Sequence, residues 1–158
     1  MTDLHKTGMS KLLNTTRMTF LISIILFLFF LVLSSIHIYW AFGGHWGKDA
    51  ATPTKNNNTK VMSPGPLSTF IVALCLLGFG FFILIEAKIL NVPIPLLAGR
   101  YGLWIIALIF LVRAIGEFKY VGFFKKIKYT KFGQNDTKYY SPLCLVIGTL
   151  TMILEGIK

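Results

Sequence analysis

The feature that most constrains the fold is an apolar run over residues 18–36, which contains no charged side chain. A helix needs about 20 such residues to cross roughly 30 Å of hydrocarbon. The whole chain is apolar as well, with 54% hydrophobic residues and a mean hydropathy of +0.67. This composition is typical of an integral membrane protein and excludes an ordinary soluble domain.

Three further apolar segments follow the first and are separated by polar or proline-rich stretches. The predicted spans cover about residues 18–42, 67–86, 101–118 and 139–155. Basic residues precede the first span, as in a signal peptide, but its apolar run exceeds the usual length of about 7–15 residues, so we expect a retained anchor. The predicted fold is all-α, an integral membrane four-helix bundle that forms a single membrane domain over residues 1–158.

The third span carries an arginine that length arithmetic places inside the membrane. Residues 101–112 are uncharged but reach only about 18 Å at 1.5 Å per residue, which is too short to cross. Extending the helix to Phe118 gives about 27 Å and includes Arg113 and Glu117. Their i, i+4 spacing favours an ion pair on one helix face. Either this pair neutralises itself and Arg113 reaches outward, or Arg113 binds an anionic group while Glu117 tunes it or moves protons.

A basic, aromatic segment over about residues 119–132 follows the third span. Its apolar side chains recur with helical periodicity at Tyr120, Phe123, Phe124 and Ile127. The pattern predicts an amphipathic interfacial helix between the third and fourth spans. The lysines expected to contact the lipid surface are Lys119, Lys125, Lys126 and Lys128.

Alternation of the spans brings several unusual residues to one end of the bundle, where the first and third spans end and the other two begin. The ligand-binding candidates at this mouth are His37, Tyr39, Trp40, Trp46, Arg113, Glu117, Tyr120 and Asp136. Polar side chains that converge at membrane depth are typical of functional sites. His37 also has a simpler interpretation as a hydrogen-bonded member of an aromatic belt.

Other kinds of site find little support in the sequence. The set that would have to converge on a metal ion is His37, His45, Asp49, Glu117 and Asp136. No compact motif unites these residues, so we predict neither a metal nor a cofactor. Cys75 and Cys144 lie in apolar runs without a CxxC partner, which favours apolar packing over redox chemistry. Hydrolase and phosphate-loop motifs are lacking, and no catalytic residue is assigned.

The formal net charge of +10 bears on partners and orientation. The basic residues flank the apolar runs instead of forming a separate polar module, which favours anionic lipid headgroups over nucleic acid. The face with the two large loops carries more lysine and arginine than the opposite face. We therefore expect these loops in the cytoplasm and both termini outside.

The ordered motifs HIYWAFGGHWG, SPGPLSTF, RAIGEFKYVGFF and DTKYYSPLCL resemble a bacterial membrane-protein family of unknown function, domain of unknown function 3995. The resemblance covers about His37 to Cys144. It implies a small four-helix protein that crosses a bacterial plasma membrane several times, and it transfers no catalytic residue. The acid in RAIGEF is Glu117, where the family pattern has an aspartate, which argues further against a strict metal geometry.

Three functions remain compatible with these features. The favoured one is a non-enzymatic protein whose bundle mouth binds a lipid or another amphiphile, with Arg113 on the anionic group and aromatic rings on the apolar part. A membrane-embedded enzyme would act on a lipidic substrate and use His37 or Glu117 as acid or base. A small transporter or proton-coupled subunit would place Arg113 and Glu117 on a pathway.

Overall fold

The computed structural model of the chain describes residues 2–56, 59–60 and 64–158. The helices are α1 (Thr2–Ala41), α2 (Lys48–Ala51), α3 (Pro66–Glu86), α4 (Leu96–Ile115), α5 (Lys131–Asn135) and α6 (Ser141–Ile157). The short strands β1 (Thr54–Asn56) and β2 (Thr59–Lys60) pair antiparallel, with Thr54 opposite Lys60. A π-helical turn over Asp136–Tyr140 joins α5 to α6.

Four helical segments are long and apolar enough to cross a membrane, which confirms the predicted number of spans. They are Gly8–Ala41, Pro66–Glu86, Leu96–Ile115 and Lys131–Ile157. The all-α fold class is confirmed with them. The second span agrees with its predicted bounds to within one residue, because Pro66 opens α3 and prolines favour the first helical turn.

The other three spans differ from their predicted bounds. Helix α1 has 40 residues, about 60 Å, so it is roughly twice as long as the hydrocarbon layer is thick. Helix α4 begins before residue 101 and ends at Ile115, because Gly116 leaves the helix with a φ of +85°. The fourth helical segment begins at Lys131, well before the predicted residue 139.

The π-helical turn in that segment has a local cause. Pro142 lacks a backbone N–H and crowds the carbonyl group four residues before it, so a regular α-helical ladder is broken there. The backbone N–H of Ser141 instead bonds to the carbonyl oxygen of Asp136, five residues back. The wider turn sets the direction of the Asp136 side chain, which matters for the site.

The four long helices pack as two hairpins. Helix α1 lies against α3 and helix α4 against α6, whereas the main contact between the hairpins is made by α1 and α6. Helices α3 and α4 barely touch, although they follow one another in the chain. The shared core consists of Leu26, Phe30, Leu76, Ile83, Leu103, Ile106, Phe110, Ile147 and Leu154.

The segment between α4 and α5, residues 116–130, is named the connector here, and it contradicts the predicted interfacial helix. It contains no helix: Gly116, Phe118 and Gly122 take left-handed φ values of +85°, +64° and +90°. A Cβ atom at Gly116 would collide with the carbonyl oxygen of Val121, so the chain folds back tightly there. A bond from the Phe123 N–H to the Ala114 carbonyl oxygen, 2.9 Å, closes this fold. The prediction was wrong because the periodicity of apolar residues does not show which residues take left-handed φ values.

At the end of the bundle opposite the connector, Lys158 joins the ends of three helices. Its ammonium nitrogen lies 2.5 Å from Glu86 Oε2 and 2.7 Å from Glu155 Oε2, and it donates to the Gly99 carbonyl oxygen at 3.1 Å. Burial acts to lower the pKa of Lys158, but hydrogen bonds to Glu155 and Glu86 outweigh it, and the pKa is raised above its ordinary value of 10.5. Lys158, Glu86 and Glu155 are named the Lys158 cluster.

Candidate functional site

Asp136 is the centre of a charged cluster at the mouth of the bundle. Its side chain has no exposed surface, and the π-helical turn aims it at the connector. Oδ2 accepts hydrogen bonds from the Gly122 N–H at 2.8 Å, from Lys125 Nζ at 2.9 Å and from Ser141 Oγ at 3.1 Å. Oδ1 accepts one from Arg113 Nη2 at 3.0 Å. One carboxylate therefore holds the connector, α4 and α6 together.

Lys125 is the main correction to the predicted lipid surface. Its side chain is fully buried, and its ammonium group donates to Asp136 Oδ2, to Thr137 Oγ1 at 2.6 Å and to the Gly122 carbonyl oxygen at 2.9 Å. All three of its donors are therefore used inside the protein. The prediction that Lys125 contacts lipid headgroups is wrong, because a buried carboxylate binds it instead. Lys119, Lys126 and Lys128 are exposed on the connector.

Among the described residues Arg113 has one ion pair, and its partner differs from the predicted one. Helix α4 ends before Glu117, so the i, i+4 geometry is lost, and Glu117 is exposed. Arg113 reaches Asp136 instead, 23 positions further along the chain. Its Nη1 atom is buried and has no hydrogen-bond partner among the described residues. A guanidinium group with an unused buried donor has capacity for another acceptor.

A cavity of about 460 Å³ lies beside Arg113, between the two hairpins. Its deeper wall is aliphatic and aromatic, and aromatic side chains with Gly47 and Ala51 surround its outer part. The lining residues are Leu33, Ile36, His37, Trp40, Trp46, Gly47, Ala51, Val72, Leu76, Phe110, Arg113, Tyr140, Leu143 and Cys144. This combination of an apolar wall and few polar groups is typical of sites for small molecules.

The loops over the cavity are held by specific contacts. Trp40 Nε1 donates to the Trp46 carbonyl oxygen at 2.8 Å, which fixes the glycine-rich turn after α1. Helix α2 packs on α5, and the Tyr140 hydroxyl group reaches the Ala50 carbonyl oxygen at 3.5 Å. The loop before α3 and the loop before α6 therefore meet at the same end of the bundle.

His37 lies on the cavity wall with a defined hydrogen bond. Its Nδ1 atom is 2.8 Å from the Leu33 carbonyl oxygen, and its ring meets the Trp40 ring edge-to-face, with centroids 5.2 Å apart. Since a carbonyl oxygen only accepts, Nδ1 carries the hydrogen in this contact. In the neutral ring, Nε2 is then the acceptor.

The structure brings some of the eight candidates together and separates others. His37, Trp40, Trp46 and Arg113 line the cavity, and Asp136 supports it through Arg113. Tyr39, Glu117 and Tyr120 do not line it. Tyr39 is 48% exposed, and the Tyr120 ring lies under Lys119 Nζ at 5.3 Å.

Sequence reasoning missed Ser141 and Thr137 as parts of the site. A usable signal exists, since Asp136 is the sole acidic residue between Glu117 and Glu155 in a stretch rich in lysine. A lone acid in that setting is expected to recruit basic partners. Which lysine it recruits depends on the fold of the connector, which periodicity does not reveal.

The geometry of the described residues gives no group of three His, Cys, Asp or Glu side chains that could hold a metal ion. His45 is exposed, and the side chain of Asp49 lies outside the described part of the chain. The arrangement is suited to anion binding by a guanidinium group beside an apolar cavity. In the neutral ring, the Nε2 atom of His37 adds a hydrogen-bond acceptor to the cavity wall.

Comparison with known proteins gives one match. A family model described as "Protein of unknown function (DUF3995)" matches residues 30–151, which include every residue of the charged cluster and of the cavity wall. Comparisons with curated proteins and with solved structures give no match.

Proposed function

The chain belongs to the DUF3995 family of proteins of unknown function, and from its own site we propose that it binds a lipid or another amphiphile at the mouth of its helix bundle. The observation that carries the proposal is the buried, unpartnered Nη1 atom of Arg113 beside an apolar cavity of about 460 Å³. An amphiphile whose polar head binds Arg113 and whose apolar chain lies along the cavity wall would use both features.

The depth of the cavity supports an amphiphile over a purely polar ligand. Its lining runs from Leu33 to Trp40 along α1, about 10 Å at 1.5 Å per residue. Leu76, Phe110 and Leu143 form the deep wall, whereas Trp46 and Tyr140 lie near the mouth. Indole and phenol groups are favoured at membrane interfaces because one end of each is apolar and the other is polar.

The connector supports a second part of the proposal, that anionic headgroups gather at this mouth. Lys119, Lys126 and Lys128 are exposed, and Phe118 and Phe124 are exposed on the same connector. Each lysine near an anionic surface contributes about 1 kcal/mol. In a protein with four candidate spans, these lysines would enrich anionic lipids around the cavity. We also propose that this membrane is a bacterial plasma membrane, as the family resemblance implies.

The test is identification of what co-purifies with the protein, by native mass spectrometry and untargeted lipid analysis. Val72 lines the cavity and is 44% exposed, so Val72→Trp fills the site from a position that tolerates a larger side chain. Val146 is matched to it at 45% exposure on α6 and does not line the cavity. We expect the bound amphiphile to be lost in Val72→Trp and kept in Val146→Trp. Equal retention in both variants would contradict the proposal.

The enzyme alternative retains one supporting observation, the accessible position of His37 on the cavity wall. A membrane-embedded enzyme would use His37 Nε2 as acid or base on a bound lipidic substrate. Turnover of the co-purified lipid by the wild-type protein, and its loss in His37→Asn, would favour this function over simple binding.

A further inference from the structure

Two cations share one carboxylate at the mouth. Arg113 and Lys125 both contact Asp136, so this cluster carries one surplus positive charge. Lys125 and Asp136 have no exposed side-chain surface. The side chain of Arg113 is 35% exposed, so water screens part of this charge, but its buried Nη1 atom has no partner among the described residues, and a buried charged donor without an acceptor is costly.

The hydrogen bonds show which cation is in surplus. Lys125 uses its three donors on Asp136, Thr137 and the Gly122 carbonyl oxygen. Oδ2 of Asp136 is satisfied by Lys125, the Gly122 N–H and Ser141. The connector would therefore hold Asp136 without any help from α4. Arg113 adds a single bond to Oδ1 and keeps Nη1 unpartnered, so the surplus charge belongs to Arg113.

No acid in the described part of the chain compensates this charge. The nearest acid along the sequence, Glu117, is exposed beyond the end of α4 and forms no ion pair with any described residue. The acids Glu86 and Glu155 bind Lys158 at the opposite end of the bundle. The described side chains therefore supply no anion for the Nη1 atom of Arg113, and a ligand with an acidic group would supply one.

Building on the proposed amphiphile site, we infer that its ligand has an anionic head, a phosphate or a carboxylate. The head accepts hydrogen bonds from Arg113, and the chain lies along Leu76, Phe110 and Leu143. A guanidinium group presents parallel donors that match the oxygens of both anions. A head that is neutral leaves the charge of Arg113 uncompensated, and a cationic head adds to it.

The experiment uses the full chain in phosphatidylcholine nanodiscs and probes that share a dodecyl chain. The anionic probes are dodecyl phosphate and dodecanoate, the neutral probe is dodecyl maltoside, and the cationic probe is dodecyltrimethylammonium. Trp40 and Trp46 line the cavity, and Trp104→Phe removes the third tryptophan, so fluorescence reports on the site. We expect the anionic probes to bind at least about tenfold tighter than dodecyl maltoside, a difference of about 1.4 kcal/mol.

The variants separate the charge from the fold. Arg113→Gln is expected to abolish the preference for anions, whereas Arg100→Gln, at the start of α4 and away from the cavity, leaves it unchanged. Arg113→Lys keeps a charge and retains part of the preference, so it provides the test if Arg113→Gln does not fold. A preference that survives Arg113→Gln would overturn the inference.

Three results separate failure of this inference from failure of the proposed function. Equal affinity for all four probes, lost in Val72→Trp, would overturn the anionic head and leave the amphiphile site in place. Binding that Val72→Trp does not change would overturn the site itself. Inorganic phosphate that binds as tightly as dodecyl phosphate would show a free-anion site without a role for the chain, and would also overturn the amphiphile.

Discussion

Each end of the bundle has a cluster of three charged groups in contact, but the balance of charge in the two clusters is opposite. At the mouth, Arg113 and Lys125 share the single carboxylate of Asp136. At the other end, Lys158 alone lies between Glu86 and Glu155. The surplus charge is therefore positive beside the cavity and negative at the opposite end.

Lys158 and Arg113 differ in what they leave unused. Lys158 contacts two carboxylates and the Gly99 carbonyl oxygen, and so ties the ends of α3, α4 and α6 together. Arg113 makes one bond and keeps a buried donor beside a cavity. A cation that protein groups bind on several sides stabilises a fold, whereas one that keeps a buried donor next to a cavity is suited to a ligand. The predictions below test this difference between the ends.

The largest effect is expected from Asp136→Asn. The change keeps the shape of the side chain but leaves two cations without their carboxylate, which typically costs about 3–5 kcal/mol. We expect the free energy of unfolding in mixed micelles to fall by that amount. Glu117→Gln, an exposed acid nearby, is the control and should stay within about 0.5 kcal/mol. Similar losses in both variants would contradict the central role of Asp136.

A smaller loss is expected from Lys125→Met, because Arg113 still neutralises Asp136. The variant removes three hydrogen bonds and leaves Thr137 and the Gly122 carbonyl oxygen without a donor, which costs about 1–3 kcal/mol. Lys126→Met changes the exposed neighbour and serves as a matched control. If Lys125 were a lipid-surface residue, as its sequence context predicts, the free energy of unfolding would fall by the same amount in both variants.

At the opposite end, Lys158→Met is expected to cost at most about 1 kcal/mol. The side chain of Lys158 is 23% exposed, so water screens its ion pairs more than those of the buried Lys125. The measurement is the same unfolding experiment. If the free energy of unfolding fell as much as in Asp136→Asn, the Lys158 cluster would stabilise the fold as much as the cluster at the mouth, which would contradict this prediction.

The smallest effect is a pH dependence that belongs to the Lys158 cluster. The pKa of Lys158 is raised in the folded state, so its stabilisation is fully present below the ordinary value of 10.5 and is lost as pH rises through the raised value. We expect the melting temperature of the wild-type protein to approach that of Lys158→Met in this alkaline range. A constant difference between the two melting temperatures across this range would contradict the assignment of the pH dependence to Lys158.

The spans could be predicted from the sequence because hydropathy is a local property of each segment. The convergence of His37, Trp40, Trp46 and Arg113 was also predictable, since alternation of the spans puts their ends on one side. The connector was not predictable in this way. Its form depends on the left-handed turn at Gly122, which allows Lys125 to reach Asp136. Local periodicity contains no information about contacts of that kind, so Lys125 looked like its exposed neighbours.

The hairpin arrangement has a consequence for assembly in the membrane. The α1/α3 hairpin contributes Leu33 and Val72 to the cavity, and the α4/α6 hairpin contributes Phe110 and Leu143. An occupant therefore touches both halves of the chain, which otherwise meet chiefly through α1 and α6. Its binding free energy adds to the free energy that keeps the halves associated. The proportion of correctly assembled protein would then follow the lipid composition of the surrounding membrane.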